Sequence, residues 1–183
     1  MRLSRLVNDM LELSRLQSGT ASLSRSVFAP LPLFSLIHET YSAYAEDYQQ
    51  TFVYDVPEDL PSVWGNPDRT QQVLIVLLDN AFKYTPEGGK ISVKIEETPP
   101  PRKGFASYRI TVKDNGIGMS KEYLPHIFEE FTREHSSTEN HITGTGLGLP
   151  IVRSVVRLHG GDVRAESADD YTTFTVRLPK HPS

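Results

Sequence analysis

Apolar residues recur along this chain with two periods, one of three to four residues and one of two, and the changes between them mark out its elements. The longest apolar run, Thr70 to Tyr84, predicts a buried helix. At about 100° per residue, Val73, Leu74, Ile75, Leu77, Leu78, Ala81 and Phe82 fill one arc, while Gln72, Asp79, Asn80 and Lys83 gather on the other. Val76, one turn before Asn80, interrupts the polar arc. Residues 2–17 place Leu3, Leu6, Met10 and Leu13 at steps of three and four, the spacing of a helix in a coiled coil or bundle. Arg2, Arg5, Asp9, Glu12 and Arg15 flank that narrow stripe, so a partner helix is expected; the competing reading lays it on its own domain. Pro30 and Pro32 precede a further helix from Leu33 to about Gln49.

Period two appears weakly over Ser22–Val27 and clearly over Thr51–Val56, Lys90–Glu97, Ser107–Lys113, Asp162–Ser167 and Thr172–Leu178, which predicts strands. Gly65-Asn66-Pro67-Asp68 is a turn offering Asn66 or Asp68 as cap to the central helix, and Trp64 is expected near the core. Pro86 to Gly89 ends that helix, and Pro99 to Gly104 reads as an exposed hairpin tip. A short helix is expected from Lys121 to Glu130, then a polar stretch from Thr132 to Thr143. A last helix runs from Gly144–Leu149 to about His159, stopped by Gly160-Gly161.

Composition narrows the function. The 183 residues suffice for one ordinary domain and an appendage. A net charge of −4 argues against nonspecific nucleic-acid binding. The absence of cysteine excludes disulfides, thiolate metal sites and cysteine nucleophiles. No apolar run approaches the roughly 20 residues of a membrane span, so a cytoplasmic chain is expected, with any membrane tie supplied by other segments.

Three stretches carry candidate chemistry. Asn80 and Lys83 project from one helix face a turn apart, an amide oxygen able to ligate a hard cation beside an ammonium able to meet phosphate. Asp114-Asn115-Gly116-Ile117-Gly118-Met119 leaves a strand at an acid that can accept from an exocyclic amine, then turns on two glycines. Gly144-Thr145-Gly146-Leu147-Gly148-Leu149 runs three alternate glycines into a helix start, where backbone N–H groups favour anions. It is neither a P-loop nor a dinucleotide fingerprint. His126, His135, His141, His159 and His181 form no metal-ligand spacing.

Asp79-Asn80-Ala81-Phe82-Lys83-Tyr84, the DNGIGM turn, Phe128-Glu129-Glu130-Phe131 and GTGLGL occur in that order. Together they resemble the N, G1, F and G2 boxes of sensor histidine kinases, whose ATP-binding fold is shared with gyrase, Hsp90 and MutL (the GHKL superfamily). Gly65 to Arg69 resembles the stretch usually preceding the N box, and Arg5 to Arg15 the end of the second dimerisation helix. The resemblance implies an α+β two-layer sandwich, with a mixed, mainly antiparallel sheet covered by helices on one face. Residues 1–19 would be the remnant of a dimerisation helix and 20–183 the ATP-binding catalytic domain.

It also implies roles. Asn80 would ligate Mg2+ on the phosphates of ATP, with Lys83 and Tyr84 meeting phosphates or ribose. Asp114 would accept from the adenine amine, Gly116 and Gly118 would shape the base pocket, and Thr172 would lie near the base. Phe128 and Phe131 would anchor a lid over Thr132–Thr143, with Arg133 reaching the γ-phosphate; Gly144, Thr145, Gly146, Leu147 and Gly148 would close over the phosphates.

The implied reaction is transfer of the γ-phosphoryl group to a histidine. His38-Glu39-Thr40 does not continue into the phosphoacceptor motif and follows the Arg5–Arg15 helix, so the acceptor is expected outside this chain, Met1 falling in mid-domain. The expected partners are a phosphoacceptor-histidine domain, a response-regulator receiver domain and a second copy through the N-terminal helix, in a cytoplasmic protein or the cytoplasmic part of a membrane sensor. Alternatives are a non-catalytic nucleotide-binding scaffold, to which Val76 speaks, and an anti-sigma-factor-type serine kinase. Gyrase-like hydrolysis is disfavoured, because a general-base Glu commonly stands where Val76 does.

Overall fold

The computed structural model describes residues 2–19, 24–98, 107–131, 146–168 and 170–179. In chain order these form α1 (Arg2–Ser18), β1 (Ser26–Phe28), α2 (Leu31–Asp47), β2 (Thr51–Asp55), β3 (Val63–Gly65), α3 (Pro67–Tyr84), β4 (Lys90–Thr98) and β5 (Ser107–Asp114). There follow α4 (Gly148–Leu158), β6 (Asp162–Ala168) and β7 (Tyr171–Pro179). The expected hairpin tip at 99–104, the polar stretch 132–143, and Arg133, Gly144 and Thr145 lie outside the described residues.

Strict alternation makes the sheet one-sided. Ile91, Val93 and Ile95 of β4, Tyr108, Ile110 and Val112 of β5, and Phe174, Val176 and Leu178 of β7 are all buried. The five strands run in the order β2-β4-β5-β7-β6; β2 is parallel to β4 and the remaining pairs are antiparallel. The parallel step is the one that crosses over through α3, as a parallel pair requires. Helices α2, α3 and α4 pack on the sheet, and β1 and β3 form a separate antiparallel pair. The outcome is the expected two-layer α+β sandwich. Among the described residues no helix is long and apolar enough to cross a membrane.

Helix α3 is set at its start by local chemistry. Asn66 Oδ1 accepts from the Arg69 N–H at 3.0 Å, and Pro67 occupies the first turn, where a missing donor does no harm. His159, buried at the end of α4, accepts from the Asn66 N–H at 3.1 Å through Nε2 while its Nδ1 lies 2.9 Å from the Val155 carbonyl. The ring is thereby the Nδ1–H tautomer, and burial holds its pKa below the usual imidazole value. Val73, Leu74, Leu77, Leu78, Ala81 and Phe82 are buried as expected, each large side chain contributing about 1.5–3 kcal/mol. Ile75 is not: it is 36% exposed, at the edge of the apolar arc.

One expectation is corrected. Lys121–Glu130 is no helix; only a 3-10 turn at Leu124–His126 forms, because Pro125 would remove a donor from the interior of an α-helix there. The N-terminal stripe divides. Leu13 and Leu16 are buried in the domain's own core, while Leu3, Val7, Met10 and Leu11 remain exposed. Helix α1 is thus laid on its own domain through Leu6, Leu13 and Leu16, with the other side of the helix exposed. Glu12 ties it to α3 by accepting from Arg69 and, at 2.7 Å, from Gln72.

Candidate functional site

The site begins where the inward stripe of β5 ends. Tyr108, Ile110 and Val112 are followed on the same face by Asp114, a buried acid at the last position of an interior strand. The register sets Thr172 of β7 directly opposite it, also buried. Burial pushes the Asp114 carboxyl up from its ordinary 3.8 to about 6. The Gly116 N–H, donating to Asp114 Oδ1 at 2.9 Å, pulls it down, as does Thr85, whose buried hydroxyl makes no hydrogen bond of normal geometry. Gly116 is required by space: a Cβ there would meet the Tyr84 carbonyl oxygen at 2.2 Å.

Asp114 and Thr172 share a pocket with Ala81, Gly118, Met119 and Phe174, a mostly apolar slot with two polar groups at its floor. Asn80, Tyr84, Tyr123 and Leu149 form its outer wall and also line a second cavity of about 270 Å3. That cavity is walled by Val76, Asp79 and Lys83 of α3 and by Gly146 and Gly148 at the start of α4. Asp79 is held by the Tyr41 hydroxyl, which donates to its Oδ1 at 2.7 Å. Val76 therefore does face the cavity, and it also packs on the glycine run, its Cγ1 lying 3.1 Å from where a Gly148 Cβ would sit.

The remaining expected residues fall as follows. Phe128 stands edge-on to Phe174, centroids 6.4 Å apart, and packs against the core. Phe131 is 52% exposed and lines neither cavity; its N–H donates to the Gly146 carbonyl at 3.0 Å, so the segments flanking 132–145 meet there. Gly146 has φ +76° and its Cβ would lie 2.8 Å from the Phe131 Cα, which excludes a side chain. Leu147 is buried in the core and lines neither cavity. His38 is exposed and stacks on Tyr54 at 4.1 Å, an ordinary helix residue. His159 and Arg5 are the residues that sequence reasoning missed. No local signal marks either, because each gains meaning only from a helix more than 60 positions away. Among the described residues no group of His, Cys, Asp or Glu is arranged to hold a metal by itself.

The fold and this paired cavity define the two-layer ATP-binding sandwich of the GHKL type. The chain belongs to the family described as "Histidine kinase-, DNA gyrase B-, and HSP90-like ATPase", whose profile matches residues 65–182. It is 34% identical over 179 residues to the sensor histidine kinase WalK of Bacillus subtilis, covering 97% of this chain and 28% of WalK. It is 31% identical over 181 residues to the adaptive-response sensory kinase SasA of Microcystis aeruginosa, covering 97% of this chain and 44% of SasA. The chain thus spans less than half the length of these relatives. Among solved structures, full-length ShkA in complex with AMPPNP superposes with a TM-score of 0.81 at 26% identity, over 99% of this chain and 36% of ShkA. The nucleotide-free catalytic domain of the histidine kinase ThkA superposes with a TM-score of 0.73 at 27% identity, over 87% of this chain and 99% of that domain.

Proposed function

We propose that this chain is the ATP-binding catalytic part of a two-component sensor histidine kinase, which transfers the γ-phosphoryl group of ATP to a histidine outside it. The observation that carries the reading is that two cavities of different character share one wall. A slot with a buried acceptor adjoins, across Asn80 and Tyr84, a more polar cavity at the end of α3. In this reading the first takes the adenine, its amine donating to Asp114 with Thr172 alongside, and the second takes the phosphates, near Lys83 and the backbone of Gly146 and Gly148. Tyr84 lines both cavities, which suits it to meet the ribose or a phosphate.

Asn80 is the side chain that would hold Mg2+. A single amide oxygen suits a cation that keeps most of its water and takes its other ligands from phosphate. When bound, the metal neutralises charge on the phosphates. The protein's own residues position the nucleotide, keep the base out of water and, through Lys83 and Arg133, offset charge on the transferred group. The histidine acceptor, a receiver domain as onward partner, a second copy meeting the exposed Leu3–Leu11 face of α1 and a cytoplasmic setting complete the proposal. Val76, an aliphatic wall beside Asn80, favours a second reading in which nucleotide binding is retained and phosphotransfer is slow or absent.

Titration calorimetry with Mg·ATP tests the site: Asn80→Ala and Asp114→Asn each lower affinity, and unchanged affinity in both refutes it. Radiolabel transfer to a dimerisation-domain histidine supplied in trans, compared with a serine-containing acceptor protein, separates the histidine kinase from the serine kinase and from the scaffold.

A further inference from the structure

We propose that Arg5 of α1 supplies a positive charge to the terminal phosphate of the nucleotide, so that the helix ahead of the ATP-binding domain completes its phosphate cavity. The inference rests on the nucleotide reading above.

Helix α1 packs on α4 and reaches α3 through single side chains, in the opposite chain sense: Glu12 meets Arg69 and Gln72, whereas Asp9 and Arg5, earlier in α1, line a cavity with Val76 and Asn80, later in α3. The contact of Glu12 with Arg69 and Gln72 fixes their level at the N-terminal end of α3. From Glu12 back to Arg5 is seven residues, and from Gln72 forward to Asn80 is eight, so at 1.5 Å per residue both paths cover about 10–12 Å and end together. Burial of Leu13 and Leu16 fixes which side of α1 faces the domain. In agreement, Asp9 and Arg5 line the same cavity as Val76, Asn80 and Lys83.

Arg5 belongs to that cavity alone. The residues common to both cavities are Asn80, Tyr84, Tyr123 and Leu149, and Arg5 lies beyond them, away from Asp114. With the base at Asp114, this is the end occupied by the last phosphate. The charge balance also asks for it. Asp9 and Asp79 place two carboxylates in the wall, and Lys83 is the other described cation there. Beside these, the guanidinium of Arg5 adds a second cation at the mouth, with a fork suited to phosphate oxygens.

The test compares ATP with ADP on the full chain by titration calorimetry in Mg2+ buffer. Arg5→Ala is expected to weaken ATP about ten-fold and to leave ADP within two-fold, with Arg5→Lys recovering part of the loss. Arg15→Ala, on the same helix but outside the cavity, is expected to change neither. An equal loss of ATP and ADP affinity in Arg5→Ala, or no loss of either, overturns the assignment. Failure of the nucleotide reading looks different: the unaltered chain then binds neither nucleotide, or Asp114→Asn leaves both affinities untouched.

Discussion

Replacing Asp114 with asparagine should make the protein more stable and less able to bind nucleotide. Burial raises this carboxyl from 3.8 to about 6, so ionising it in the fold costs about 3 kcal/mol relative to the unfolded chain. The sign follows from proton uptake. Between about pH 4 and pH 6 the folded chain holds a proton that the unfolded chain has released, so Asp114 lowers stability progressively as pH rises and imposes its full penalty above about 6. Asp114→Asn removes that penalty, which is a ceiling on the gain. The charge-assisted bond from the Gly116 N–H becomes an ordinary one, and the new amide must find an acceptor, for which Thr85 Oγ1 is available. A net gain of about 1–2 kcal/mol at pH 7 is expected, or a few degrees in Tm for a domain of this size. The assay is urea unfolding of both proteins from pH 4 to pH 8, read as the difference between them. That difference should grow from near zero at pH 4 and level off above 6. A variant no more stable than the parent at pH 7, or a difference independent of pH, refutes the reasoning. In parallel, nucleotide affinity of the parent should fall below pH 6 as the acceptor becomes protonated, while the variant stays weak throughout. Stability surrendered for a binding site is a common exchange in natural proteins.

Asn66→Ala removes the cap of α3 and should cost about 1 kcal/mol, measurable by urea unfolding. His159 contributes in the opposite pH sense to Asp114: its neutral ring stabilises the fold above the ordinary 6.5, and this is lost as pH falls through its lowered value. A His159→Gln variant should therefore lose less stability than the parent between pH 6.5 and 5 in the same assay. Val76→Asn, placing an amide beside Asn80 in the cavity, should increase the Mg2+ dependence of ATP affinity and accelerate phosphotransfer; if calorimetry and radiolabel transfer register neither, Val76 serves only to pack on Gly148. Gly116→Ala sets a methyl against the Tyr84 carbonyl and should abolish ATP binding by calorimetry.

The strands with one buried face were legible because period two is a direct record of burial, and Lys90–Glu97 extends in the structure by a single residue to Thr98. The body of α3 was legible for the same reason, with Ile75 misassigned because an arc drawn on a wheel does not say where the neighbouring helix stops. The three-residue strand Val63–Gly65 carries no period, and its residues predict only Trp64 near the core and a turn beginning at Gly65. Of the site, Asn80, Lys83 and Asp114 could be suspected from residue type and position. Thr172 entered only through family resemblance, since its pairing with Asp114 is a long-range register that no local pattern encodes.

The position of β7 has a consequence for how the chain acquires its site during synthesis. β7 lies between β5 and β6, although it follows both in sequence. Until residues 171–179 have left the ribosome, β5 is an open strand edge and Asp114 has no threonine opposite. At about 5–20 residues per second, the preceding strands wait in that state until the last strand arrives. Acquisition of nucleotide binding is therefore a late event in the birth of this domain, and a chain cut before Tyr171 would carry every glycine motif and still lack the Thr172 and Phe174 side of the pocket.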